Sequence, residues 1–271
     1  MLALNLKNKL LIDFFSALRV QRRVIFAIYT KELRARFGQY NWGLLWALLE
    51  PIAHVTVFSL LFYFKSKGSG AIEYPIFVML GILPWLLFKN IIRRSVTAIS
   101  ANRGLFCYPG VKPIDAILGR VFLEINVFIF VAFTLSLIFY FLGFHVLYEN
   151  FLKFILATFL LIVMALGFGI IFAVLDSYYN AAQKILTMSF RPLYFASGIF
   201  FPITIIPEPY RTYFLYNPLT QAILLMRNAY NEDYDAAYVN PYYLAFFAFT
   251  VFAIGIFYYS LHWKNIVEES H

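Results

Sequence analysis

Residues 151–175 read FLKFILATFLLIVMALGFGIIFAVL, an apolar run in which Lys153 is the only charge. A helix rises ~1.5 Å per residue, so about 20 such residues cross a hydrocarbon core of about 30 Å. This run is long enough, and only a helix can satisfy its own backbone in that medium without closing a barrel. Five further segments approach the same length: 44–64, 75–92, 117–142, 185–203 and 242–261. Pro84 and Lys89 interrupt the second of them, and Arg191-Pro192 the fifth, which softens their boundaries. The whole chain agrees, because 271 residues at 62% hydrophobic, 13% charged and a mean hydropathy of +0.73 carry more apolar surface than one soluble core hides. An all-α membrane protein with six transmembrane helices is therefore expected.

The charges fall between these runs. Of 22 Lys and Arg, 17 lie before the first span, from Lys89 to Arg120 around the second connection, at Lys184 and Arg191, or at Lys264. That imbalance places both termini in the cytoplasm and explains the net charge of +8 without a nucleic-acid partner. Residues 8–37 alternate an apolar stripe (Leu10, Leu11, Phe14, Phe15, Leu18, Ile25, Phe26, Tyr29) with Arg19, Arg23, Lys31 and Arg34, the pattern of an amphipathic helix in the membrane interface. A plain basic anchor is the alternative. The N-terminus lacks the cleavage site and long apolar region of a signal peptide and is expected to be retained. Residues 204–235 are broken by Pro207, Pro209 and Pro218 but stay apolar, which points to short re-entrant or extracytoplasmic helices rather than an ordinary loop.

Glu50-Pro51 sits inside the first span, where a carboxylate costs ~2.5–3.5 kcal/mol on insertion scales. It faces a partner subunit, a neighbouring helix or water, or it pairs with a basic residue near the surface. Arg120 and Glu124, four apart, are placed to neutralise each other. Lys89, Arg93 and Arg94 close the second span, either as ordinary positive-inside anchors or as an attraction for an anionic lipid or substrate. Among the 20 Tyr, Tyr178, Tyr179 and Tyr194 are candidates for the lining of a sugar conduit, against the plainer reading of interfacial belt and helix packing.

No G-x-x-x-x-G-K-[ST] loop, G-x-S-x-G, H-E-x-x-H or Cys/His cluster occurs, so no catalytic, metal or cofactor site is expected on this chain. Cys107 is the lone cysteine. Any ATP drive has to come from another chain.

Four blocks carry a family resemblance. RFGQYNWGLLWALLEPIAHV (36–55) resembles the first-span entry of permeases of the type-2 ABC exporter superfamily, and GILPWLLF (81–88) its Gly-x-x-Pro-Trp signature. NRGLFCYPGVKPIDAILGRVFLE (102–124) is similar to the cytoplasmic loop and third span of capsular polysaccharide export permeases. SGIFFPITIIP (197–207) with LYNPL (215–219) resembles the last extracytoplasmic region, although Gln221 and Leu224 stand where many relatives carry a His and an acidic residue. The resemblance implies a homodimer of six-helix subunits in the bacterial inner membrane, with two ABC ATPase subunits that bind ATP and Mg. Its cargo would be a lipid-linked capsular polysaccharide, handed on to periplasmic and outer-membrane capsule export proteins. It further implies a cytoplasmic coupling loop at 98–113, with Asn102, Arg103, Leu105 and Phe106, together with Arg34 and Glu50, near the ATPase contact. O-antigen or another glycan is the alternative cargo, and a stand-alone carrier or membrane enzyme the alternative class.

Overall fold

The computed structural model describes residues 2–38, 43–63, 72–108, 110–179 and 181–268, without the side chains of 2–17, 44, 62 and 63. Trp42, Phe64, Lys65 and Lys67 therefore lie outside it, as do the side chains of Leu10, Leu11, Phe14 and Phe15. The described residues fold into helices, with no strand: α1 (Leu2–Phe37), α2 (Trp46–Tyr63), α3 (Tyr74–Val96), α4 (Pro113–Phe141), α5 (Phe151–Tyr178), α6 (Ala182–Ala196), α7 (Tyr210–Leu215), α8 (Pro218–Tyr230) and α9 (Pro241–Glu268).

Four of these, α3, α4, α5 and α9, are long and apolar enough to cross a bilayer. The 18 residues of α2, mostly apolar apart from Glu50 and His54, reach ~27 Å. The expected fifth span differs: α6 has 15 residues, ~22 Å, and the chain then turns at 197–200 instead of continuing to 203. Even so, α6 leads from one end of the bundle to the other. It starts beside Tyr178, whose ring meets His262, and ends at the turn where the Tyr74 hydroxyl donates to the Phe200 carbonyl (3.1 Å). The connections thus segregate to two ends: α1, 97–108, 110–112, 179 and 181 at one, and 72–73, 142–150 and 197–240 at the other.

Helix α3 is the centre, packed against α2, α4, α5, α6 and α8 and buried almost throughout. Pro75 suits its first turn, where a missing N–H costs nothing. The Gly81-Ile82-Leu83-Pro84-Trp85 signature has a physical reading here. A Cβ on Gly81 would lie 2.9 Å from both Arg227 Nη2 and the Ile199 carbonyl oxygen, so only glycine admits that close approach. Trp85 packs edge-on against Phe190 and tilted against Tyr194 of α6.

Helices α5 and α9 form the most extensive pair. Gly167 and Gly255 meet at their crossing: a Cβ on Gly167 would lie 2.7 Å from the Phe252 backbone nitrogen, and one on Gly255 2.8 Å from the Gly167 carbonyl oxygen. Small residues let helix backbones approach in an apolar medium where no hydrophobic force drives them together.

Residues 204–235 bear out the expectation of short helices. After the brief α7, none of whose residues is buried, the 13-residue α8 begins at Asn217, whose side chain caps the Leu219 N–H, and Pro218. Every residue from Leu219 to Tyr230 is buried. This short helix is enclosed by α3, α5 and α9.

Gly167→Val drives two methyl groups into the α9 backbone. It should cost about 3 kcal/mol by overpacking and lower the thermal unfolding midpoint of the purified chain by roughly 6–12 °C. Gly104→Val, at a position where a Cβ meets nothing, should leave the midpoint unchanged.

Candidate functional site

Two polar assemblies stand out in an otherwise apolar bundle, one at each end. The first joins α1 to α4. Gln21 donates to Asp115 (3.0 Å), Arg120 pairs with Glu32 (2.8 Å), and Arg36 pairs with Glu124 (2.5 Å). Ile28 fills the space between these rungs against Gly119, where a Cβ would come within 2.9 Å of it. The sequence expectation that Arg120 and Glu124 neutralise each other is corrected: each reaches across to α1, and Glu124 also receives Arg94 at 3.5 Å. Arg120 in addition donates to the Arg94 carbonyl and the Thr97 hydroxyl, tying in the end of α3. Side chains four apart on a helix lie on one face, and Glu32/Arg36 offers the opposite sign order to Arg120/Glu124, so two intrahelical pairs become two interhelical ones.

The loop between α3 and α4 hangs from this corner. A 3-10 helix covers Ser100–Leu105. Its Asn102 is buried, donating to the Ala98 carbonyl (2.8 Å) and accepting from Lys31 of α1 (2.8 Å). Phe106 is buried and Leu105 half-buried, while Arg103, Gly104, Cys107 and Tyr108 are exposed. The candidate coupling residues therefore divide: Asn102, Leu105 and Phe106 root the loop, and Arg103 presents its tip.

Glu50 finds a partner as well, accepting from Lys89 Nζ at 2.7 Å. Arg34 is exposed on α1 and is not joined to Glu50, whereas Arg36, absent from the sequence candidates, lines a cavity of about 430 Å³ together with Glu50 and Glu124. The tyrosine candidates are not brought together. Tyr178 meets His262, Tyr179 is exposed at the end of α5, and Tyr194 lies near the other end of α6 among His54, Trp85 and Phe200. Twelve residues of helix separate Ala182 from Tyr194, ~18 Å.

The second assembly fastens α8. Arg227, 1% exposed, donates to the carbonyls of Gly198 (2.8 Å), Ile199 (2.7 Å) and Phe77 (3.2 Å) and lies 3.5 Å over the Phe77 ring. Gln221 uses both ends of its amide, donating to the Leu215 and Tyr238 carbonyls and accepting from the Asn240 N–H. Asn228 donates to the Glu232 and Tyr234 carbonyls. Outside the bundle, Lys153 and then Asn150 hydrogen-bond Glu232 and hold its carboxyl below the usual range. Among the described residues no group of His, Cys, Asp and Glu is placed to hold a metal ion.

Residues 23–231 match the ABC-2 type transporter family. The chain is 38% identical over 242 residues to the polysialic acid transport protein KpsM of Escherichia coli, covering 89% of this chain and 94% of that one. It is 26% identical to the capsule polysaccharide export inner-membrane protein CtrC of Neisseria meningitidis serogroup A, covering 90% and 92%. Identity to the O-antigen export system permease protein RfbA of Klebsiella pneumoniae is 22%, covering 86% and 90%.

Glu124→Gln leaves Arg36 and Arg94 facing a neutral group inside the protein and should cost about 3–5 kcal/mol, read as a fall in the thermal midpoint. Combining it with Arg36→Gln should cost less than the two single losses added, by about 1–3 kcal/mol of coupling. Strict additivity would show that the contact contributes nothing.

Proposed function

This chain belongs to the ABC-2 type transporter family, and on that premise we propose that it is the permease subunit of an exporter that moves a lipid-linked capsular polysaccharide across the bacterial inner membrane. It is a transport subunit, not an enzyme, and works with a separate ABC ATPase. The observation that carries the cargo reading is its likeness, over 89% of its length, to a polysialic acid transport protein. The much lower identity to an O-antigen permease favours capsule over O-antigen.

Two permease chains would assemble with two ATPase subunits that bind ATP and Mg, and the glycan path would run near the dimer interface. Six crossings with both termini cytoplasmic fit the segregation of the connections to two ends and the excess of Lys and Arg at the end that holds α1. In this arrangement the exposed Arg103 tip meets the ATPase, and the Lys31–Asn102 bond passes its displacement to α1 and the α4 ladder. Periplasmic and outer-membrane capsule proteins would receive the product.

The first test is co-purification of the tagged chain from its native membrane. An ABC ATPase at a one-to-one ratio is expected; an active chain without a nucleotide-binding partner overturns the reading. Asn102→Ala should retain the ATPase in the complex but lower glycan export roughly tenfold, because the loop root is cut while its tip is intact. Unchanged export would remove Asn102 from the coupling path. Mass spectrometry of the co-purified glycolipid distinguishes capsule from O-antigen.

A further inference from the structure

The cavity of about 430 Å³ lies between the end of α1, the Gly43–Leu45 turn, and α2, α3 and α4. Its size falls within the ~300–1,000 Å³ usual for small-molecule sites. One wall is apolar: Leu83 and Leu87 stack one turn apart on α3, opposite Val127 and Val131 one turn apart on α4. The other wall is polar, with Arg36, Glu50, Asn90 and Glu124. A space with a greasy side and a charged side, beside the cation-bearing end of α3, has the shape of a site for an amphiphile.

The charges select its kind. Glu124 is held between Arg36 at 2.5 Å and Arg94 at 3.5 Å, and Glu50 is held by Lys89 at 2.7 Å. Arg36, Lys89 and Arg94, with Arg93 beside them, face two carboxylates, so positive charge is in excess around the cavity. Among the described residues Arg36 directs one of its N–H groups to Glu124, and a guanidinium carries five. The Asn90 amide, which also lines the space, has no hydrogen-bond partner among the described residues. Unused donors and an excess of positive charge match an anionic phosphodiester. A zwitterionic head group would bring its own ammonium toward Lys89 and Arg36, and a neutral lipid would leave the charge unmet.

We propose that this cavity binds one anionic phospholipid of the surrounding bilayer, its phosphodiester received by Arg36 and Asn90 and its acyl chain laid along the Leu83/Leu87 and Val127/Val131 walls. Basic pockets between transmembrane helices are known physical hosts for anionic head groups. Its recognition rests on the cavity's own lining and does not depend on the identity of the cargo. It fills the angle between α1 and α2, so its occupant would brace the corner from which the Asn102 loop hangs.

Native mass spectrometry of the delipidated full chain, titrated with phosphatidylglycerol or with phosphatidylethanolamine of the same acyl chains, tests this. One phosphatidylglycerol per chain is expected, with at least a tenfold preference over phosphatidylethanolamine. Ala47→Trp, which fills the cavity, should weaken retention at least tenfold, and Asn90→Leu about fivefold. Asn90→Leu serves alone should the larger side chain prevent folding. Equal retention of the two lipids, or wild-type retention by either folded variant, overturns the proposal. So does displacement of the lipid by millimolar glycerol 3-phosphate, which would make the cavity an anion site with no use for an acyl chain.

Discussion

In a medium without water, every backbone group and every charge of this chain has to find its partner within the protein or its lipid. The rest of the structure follows from that constraint. The carbonyls of Gly198 and Ile199 lie where the chain turns after α6, outside any helix, and the Arg227 fork supplies their donors while also reaching the Phe77 carbonyl of α3. Gln221 does the same for the Leu215 and Tyr238 carbonyls and the Asn240 N–H. An irregular segment of more than forty residues can thereby sit against the bundle, because α8 carries its missing hydrogen-bond partners on one short helix.

The same constraint shapes the opposite end. Glu32, Arg36, Arg120 and Glu124 are costly singly, and they are accommodated by pairing across α1 and α4. The pairing has a mechanical result. Arg120 reaches Glu32, the Arg94 carbonyl and Thr97 at once, so α1, α3 and α4 share one guanidinium as a common fastening. Among the described residues helix α2 shows no comparable attachment and keeps mainly its packing on α3 and the Glu50–Lys89 pair. Rigid and yielding parts are therefore separated at the very corner that holds the loop.

Much of this fold was legible from hydropathy, since α3, α4, α5 and α9 announce themselves as long apolar runs, and the prolines of 202–218 mark where regular crossing stops. The end of α6 was less legible. Residues 197–203 are as apolar as a span but turn, because Gly81 opens a place for them against α3, and that space is set by a residue more than a hundred positions away. The resemblance located the coupling loop, while its division into a buried root and an exposed tip depends on Lys31, a residue taken for surface charge. Arg36 went unnoticed for the same reason. Its signal was present in the matched spacing of Glu32/Arg36 and Arg120/Glu124, but an intrahelical pairing explains that spacing equally well until α1 is seen to lie along α4. The tyrosines show the limit of composition, as residues alike in chemistry settle in unrelated surroundings.

The reciprocal sign order on α1 and α4 also bears on inheritance. Exchanging either helix with that of a relative whose charges run the other way would set Arg against Arg and Glu against Glu, though each segment remained sound by itself. The two stretches, some ninety residues apart, can travel between lineages only together, so the unit that recombination must respect in this permease is a pair of distant helices and not a contiguous domain.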